Sequence, residues 1–359
     1  MRYKDQVIDA LIKEAKAEQG FFGDEQVSTI YFGGGTPSLL DVGEIESLVS
    51  TLHQHYRISA DVEVTLEANP DNINNEALRE WKTIGINRLS LGVQSFYENE
   101  LVWMNRAHNA SQAYDSVEMA LVQFPNLTVD LIYGSPLLTD EMWSSNVQQA
   151  ISLGVPHLSC YALTVEDQTP LSKSIALQKT VSVDSDQQAA QFLLLMTWLK
   201  EAGYEHYEVS NFAKPGFQSR HNSSYWKGEK YLGLGPSAHS YDGVMRRWNI
   251  ANNARYVKGI NEGTPDREVE VLTTVQKLNE YVMVSLRTTE GINLKKVEHC
   301  WGITESQRIL TALKKSQHEG LITLFATTAT LTHRGMLFAD GIAADLFATG
   351  LPTRHPDGM

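Results

Sequence analysis

From residue 27 onward the chain alternates short apolar, strand-like runs with helical ones, and this alternation restricts the fold more than any single motif does. The strand-like runs are Val27–Phe32, Val62–Glu67, Asn87–Gly92, Leu127–Ile132, His157–Tyr161 and Tyr204–Val209. Apolar residues at helical spacing fall near 45–55, 76–84, 110–124, 142–153 and 187–202. Six strands joined by helical crossovers call for a parallel sheet, because a parallel neighbour is reached only through a connection of a dozen or more residues. Such a sheet is either open and doubly wound or curved into a barrel. Ahead of it the chain opens on a helical pattern, Val7, Ile8, Leu11 and Ile12, with no strand before it.

The polar residues at the strand ends favour a barrel, in which all C-terminal strand ends open at one mouth. Run after run closes on a group able to bind or react: Gly33 to Gly35, Glu67, Gln94, Asp130, Tyr161 and Glu208. Any one of these caps a strand where it meets water; the whole series reads as a site. The first is the turn Tyr31-Phe32-Gly33-Gly34-Gly35-Thr36-Pro37, set before a helix whose N-cap is expected at Asp41. Glycines there let backbone N–H groups converge on a ligand without a Cβ in the way, which suits a carboxylate, a phosphate or an amino-acid head group.

Composition narrows the class. With 43 acidic against 30 basic residues, the balance argues against a general nucleic-acid or anionic-membrane binder. Only Cys160 and Cys300 are present, too few for a disulfide framework, so a reducing, cytoplasmic setting is expected. No apolar run approaches membrane-span length, and no integral membrane segment is expected.

The ordered motifs Tyr31 to Pro37, Glu67-Ala68-Asn69-Pro70, Gly92-Val93-Gln94-Ser95-Phe96, Asn105-Arg106-Ala107-His108 and Asp130-Leu131-Ile132-Tyr133-Gly134 closely resemble the radical S-adenosylmethionine family. Within it the likeness is to the branch that holds oxygen-independent coproporphyrinogen III oxidase and a related heme chaperone. The resemblance implies a partial (β/α)6 TIM-like barrel with a smaller C-terminal α+β, winged-helix-like domain. It implies a [4Fe–4S] cluster and S-adenosylmethionine as cofactors of the intact family member, and heme as cargo. It also implies S-adenosylmethionine contacts from Gly34, Gly35, Thr36, Glu67, Gln94, Arg106, Asp130 and Ala162. Carboxylates accept from ribose hydroxyls or an ammonium, and a guanidinium suits a carboxylate.

One departure stands out. The family carries Cys-x-x-x-Cys-x-x-Cys after its first barrel strand, and this chain has no such triad. The first strand and the cysteine loop are therefore expected to be missing, with no cluster in the chain as written and poor S-adenosylmethionine binding. Val27–Phe32 would then be an unpaired sheet edge.

Residues 1–210 are expected to form the partial barrel and 211–265 an irregular segment rich in His, Gly and aromatics. A winged-helix-like unit over 266–347 and a disordered tail over 348–359 complete the expected order. In the irregular segment, His221-Asn222-Ser223-Ser224-Tyr225-Trp226 is similar to the heme-chaperone signature, which makes His221 a heme contact and His239 a second candidate. The C-terminal unit is read as helices over 268–288 and 305–318, a hairpin over 321–331 and a closing helix over 336–347. Its Lys295, Lys296, Arg308, Lys314, Lys315 and Arg334 are offset by Glu290, Glu298, Glu305 and Glu319, so no basic recognition face for nucleic acid emerges. Heme chaperone is thus the expected function, with acceptor hemoproteins and a second copy of the chain as partners. The alternatives are oxidative decarboxylation of coproporphyrinogen III to protoporphyrinogen IX, and a cluster-free binding scaffold.

Overall fold

The computed structural model describes residues 3–350. Residues 351–359, most of the expected tail, lie outside the described residues. The chain divides into two compact units: residues 24–221, and the residues up to 23 together with those from 222 onward.

Helix α1 (Lys4–Ala17) opens the chain and belongs to the second of these. The unit 24–221 then runs β1 (Val27–Phe32), α2 (Val42–His55), β2 (Ile58–Ala68), α3 (Asn75–Thr83), β3 (Arg88–Gln94), α4 (Glu98–Trp103), α5 (Ala110–Gln123) and β4 (Leu127–Tyr133). It continues through α6 (Asp140–Ser152), β5 (His157–Ala162), α7 (Pro170–Ala176), α8 (Ser185–Glu201), β6 (Glu205–Glu208) and β7 (Asn211–Ala213). β1 to β5 pair in order and in parallel, with Ile30 beside Val64, Leu66 beside Leu89, and Val129 beside both Leu91 and Leu158. The sheet curls into a half-barrel.

Alternation along each strand builds the two faces. On β3, Leu89, Leu91 and Val93 are fully buried, while Ser90, Gly92 and Gln94 face a pocket. Leu66, Val129, Leu131 and Leu158 extend the same apolar layer. Each such side chain contributes about 2 kcal/mol by leaving water.

The sheet ends differently from expectation. The run at 204–209 supplies a sixth strand, β6, that runs in the same direction as β1 to β5 but does not pair with β5. β6 and β7 are joined by two residues, a link too short for a crossover, so they pair antiparallel. β7 lies between β5 and β6 and is antiparallel to both.

Helix α9 (Arg220–Lys227) follows. The other unit contains β8 (His239–Tyr241), β9 (Met245–Asn249), α10 (Asn253–Asn261) and β10 (Arg267–Val271), whose strands form an antiparallel sheet in the order β10-β9-β8. The segment read as irregular is therefore largely ordered. Glu14 of α1 is buried among these elements and accepts from Arg267 Nη2 and Asn249 Nδ2 at 2.8 Å each, Gly235 N at 2.8 Å and Tyr256 Oη at 2.7 Å.

Next come α11 (Thr274–Leu286), β11 (Ile292–Asn293), α12 (Leu294–Trp301), α13 (Ile303–His318), β12 (Ile322–Phe325), β13 (Thr328–Leu331), α14 (His333–Met336) and α15 (Ala339–Leu346). Three helices, a short strand and a hairpin around Leu278, Val282, Ile292, Val297, Ile309 and Ala329 make the winged-helix-like arrangement. The expected helix from 268 starts later. Arg267-Glu268-Val269-Glu270-Val271 alternates with period two and pairs with β9, and Thr273, capping Gln276 N at 3.2 Å, begins α11.

Candidate functional site

The C-terminal ends of β1 to β4 enclose a pocket of about 180 Å³, lined by Gly35, Thr36, Pro37, Glu67, Ala68, Asn69, Ser90, Gly92, Gln94, Arg106 and Asp130. Gln94 reaches it through a bulge. The β3–β4 register slips between Leu91 and Gln94, and Gln94 takes a left-handed φ of 68°. Gly92 leaves room for this: a Cβ there would lie 2.9 Å from Gln94 Nε2, 3.3 Å from Asn69 Oδ1 and 3.4 Å from Arg106 Nη2.

Arg106 lies in the loop between α4 and α5. Its Nη2 donates to Asn69 Oδ1 at 2.8 Å and to Gly92 O at 3.1 Å, while its buried Nε has no partner. His108 Nε2 donates to Val93 O at 3.0 Å, and Asn109 caps α5 by accepting from Gln112 N at 2.9 Å. Asp130 lies on the pocket floor, with Ser90 Oγ 3.4 Å from its Oδ2. Burial pushes its carboxyl up to about 7, Ser159 and Ser90 oppose this by hydrogen bonding, and nearby Glu67 adds to it. An acid held near its midpoint is ready to ionise when a cation or a hydroxyl donor arrives.

The glycine turn is organised by Glu67. Tyr31 Oη donates to Glu67 Oε1 at 2.7 Å and Gly34 N donates to Oε2 at 3.2 Å. On the other face of this arrangement stands His221. Its ring stacks on Tyr31 with centroids 4.7 Å apart and planes 20° off parallel, and its Nδ1 shares a 2.9 Å hydrogen bond with Thr29 Oγ1. Its backbone N–H donates to Glu63 Oε1 at 3.0 Å. Burial lowers the imidazole's pKa to about 4, so the ring is neutral at ordinary pH.

The structure thus gathers Gly35, Thr36, Glu67, Gln94, Arg106 and Asp130 around one cavity. Gly34 touches the site through Glu67 rather than lining it, and Ala162 ends β5 beside Tyr133, outside the lining. Tyr161 and Glu208 do not line the pocket either. His239 lies in the other unit, exposed on β8 and stacked on Trp248 at 5.5 Å. Ser90 and Thr29 carry a signal that sequence reading passed over, polar residues at alternate positions of otherwise apolar strands. Asn69 and Tyr31 lie within the strand-end motifs, and their roles, holding Arg106 and Glu67, show only in three dimensions.

These residues fit an adenosyl ligand: acceptors for hydroxyls and an ammonium, a buried guanidinium donor for a carboxylate, and a glycine at 92 that keeps the cavity open. They do not fit an iron–sulfur cluster. Cys160 is buried on β5 with its thiol pushed well up by burial, Cys300 is exposed on α12, and a cluster needs more thiolates than two. Among the described residues no group of three His, Cys, Asp or Glu is placed to hold a metal.

Two family profiles match the chain, the radical SAM superfamily over residues 3–149 and the HemN C-terminal domain over residues 272–338. The heme chaperone HemW of Bacillus subtilis is 32% identical over 341 residues, 94% of this chain and 90% of that protein. The chain belongs to the HemW family. HemW of Escherichia coli is similar at 30% identity over 94% of this chain and 89% of its own length. HemW of Lactococcus lactis is 36% identical over 82% and 78%. The fold matches that of coproporphyrinogen III oxidase (HemN) from Escherichia coli with a TM-score of 0.81 at 23% identity, covering 97% of this chain and 84% of that one.

Proposed function

We propose that this chain binds heme and hands it to acceptor hemoproteins, and that the strand-end pocket receives S-adenosylmethionine. The observation that carries this is the identity to heme chaperones along nine-tenths of both chains. In the pocket, Glu67 and Asp130 would take ribose hydroxyls or the ammonium, Gln94 and the glycine turn would orient the methionine part, and Arg106 would hold its carboxylate. What such a ligand brings to these residues is charge and hydrogen-bonding groups. Without the iron that anchors its amino and carboxylate groups in the wider family, its binding to the residues present is expected to be weak.

His221 is the proposed heme contact, with His239 as the second candidate. Thr29 fixes the His221 ring through Nδ1, and the neutral imidazole does not have to shed a proton before it ligates iron. No helix among the described residues is long and apolar enough to cross a membrane. The proposed setting is the cytoplasm, where acceptor hemoproteins would be met, and the acidic balance speaks against a general nucleic-acid partner.

The test is a heme titration of the full chain followed at the Soret band. Saturable binding is expected, weakened about tenfold or more by His221→Ala. Because the ring gains a proton only near pH 4, the affinity through it should stay level between pH 8 and 5.5. Equal affinity in wild type, His221→Ala and His239→Ala would remove the heme assignment of both histidines.

A further inference from the structure

Tyr31 is shared by the heme candidate and the pocket. One face of its ring carries the His221 imidazole, and its hydroxyl donates to Glu67, whose second oxygen takes the Gly34 N–H. The pair is protected by a glycine: a Cβ at Gly33 would stand 2.5 Å from Tyr31 Cε1 and 2.9 Å from Glu67 Oε1, so any side chain there pushes phenol and carboxylate apart. Burial and the carboxylate together hold the phenol well above its usual range, so it remains the donor.

Chemistry gives the contact a direction. Metal ligation draws electron density out of an imidazole, and an electron-rich aromatic face beneath the ring favours that. A carboxylate accepting from the phenol hydroxyl enriches the face. A ligand group that engages Glu67 competes with Tyr31 for the same carboxylate and reverses the enrichment.

We infer that Tyr31 couples the two sites, so that a ligand engaging Glu67 through an ammonium or a hydroxyl loosens heme held at His221. The inference rests on the proposed heme role of His221 and goes beyond it: pocket occupancy becomes a release signal for the cargo. Tyr31 is a positioning residue here, acting on heme only through the imidazole.

The experiment is a double-mutant cycle on the full chain, read as heme affinity and Soret position, with thermal unfolding as a check on folding. Tyr31→Phe keeps the stack and removes the hydroxyl; Glu67→Gln keeps the shape and removes the charge. Each single variant is expected to weaken heme binding about threefold or more, with the double variant no weaker than either. Glu67→Gln lowering the affinity equally in the wild-type and Tyr31→Phe backgrounds, or in neither, would overturn the coupling. A wild-type chain that binds heme no better than His221→Ala would instead overturn the heme role of His221, and the coupling with it.

Discussion

Asp130 shows how one residue's surroundings set its chemistry. Its native pKa of about 7 lies above the roughly 4 of an unfolded aspartate, so the native state holds a proton that the unfolded chain releases. That contribution to stability is complete below about pH 4 and is lost as pH rises through about 7. Asp130→Asn is neutral throughout, so its gain in thermal midpoint over wild type should be larger at pH 8 than at pH 5. Midpoints measured across that range would check this, and a gain that shrinks toward pH 8 would contradict it. The motif Val129-Asp130-Leu131 placed this residue at the site, but its sequence says nothing of the desolvation that sets its charge.

Among elements, β3 and the loop after α4 show what was legible. The apolar run Asn87–Gly92 announced a strand, and the strand ends were expected to share a mouth. The bulge that turns Gln94 inward was not legible, because it answers to the packing of Gly92 against Asn69 and Arg106. Arg106 in turn depends on a loop held at its far end by Asn109, whose side chain accepts from Gln112 N while Gln112 Oε1 accepts from Asn109 N, both at 2.9 Å. Asn109→Ala should cost about 1 kcal/mol in denaturant unfolding. The helix expected from 268 was misplaced because Val269, Val271 and Leu272 suit either period locally, and only the partner strand β9 decides for extended backbone.

At the scale of the whole molecule, α1 groups with residues 222 onward, more than two hundred residues away along the chain. The buried carboxylate of Glu14 explains why. It is 1% exposed and satisfied by four donors, with Arg267 as its charge partner. Glu14→Ala would take this acceptor from Gly235 N and Tyr256 Oη, while Arg267 keeps Glu18 and Asn249 Nδ2 keeps Gly235 O, at a cost of about 1–3 kcal/mol. Glu14→Gln should be milder, since it keeps one acceptor oxygen. Unfolding of the full chain in urea would read both, and a change under about 1 kcal/mol for Glu14→Ala would contradict the assignment. By itself the sequence determined the βα order, the parallel sheet and the strand-end residues, because period, loop length and glycine placement act over a few neighbouring positions. Only the tertiary structure decided that β7 lies between β5 and β6, where α1 belongs, and that His221 rests on Tyr31. Those outcomes depend on desolvation and on partners distant in sequence, which no local pattern records.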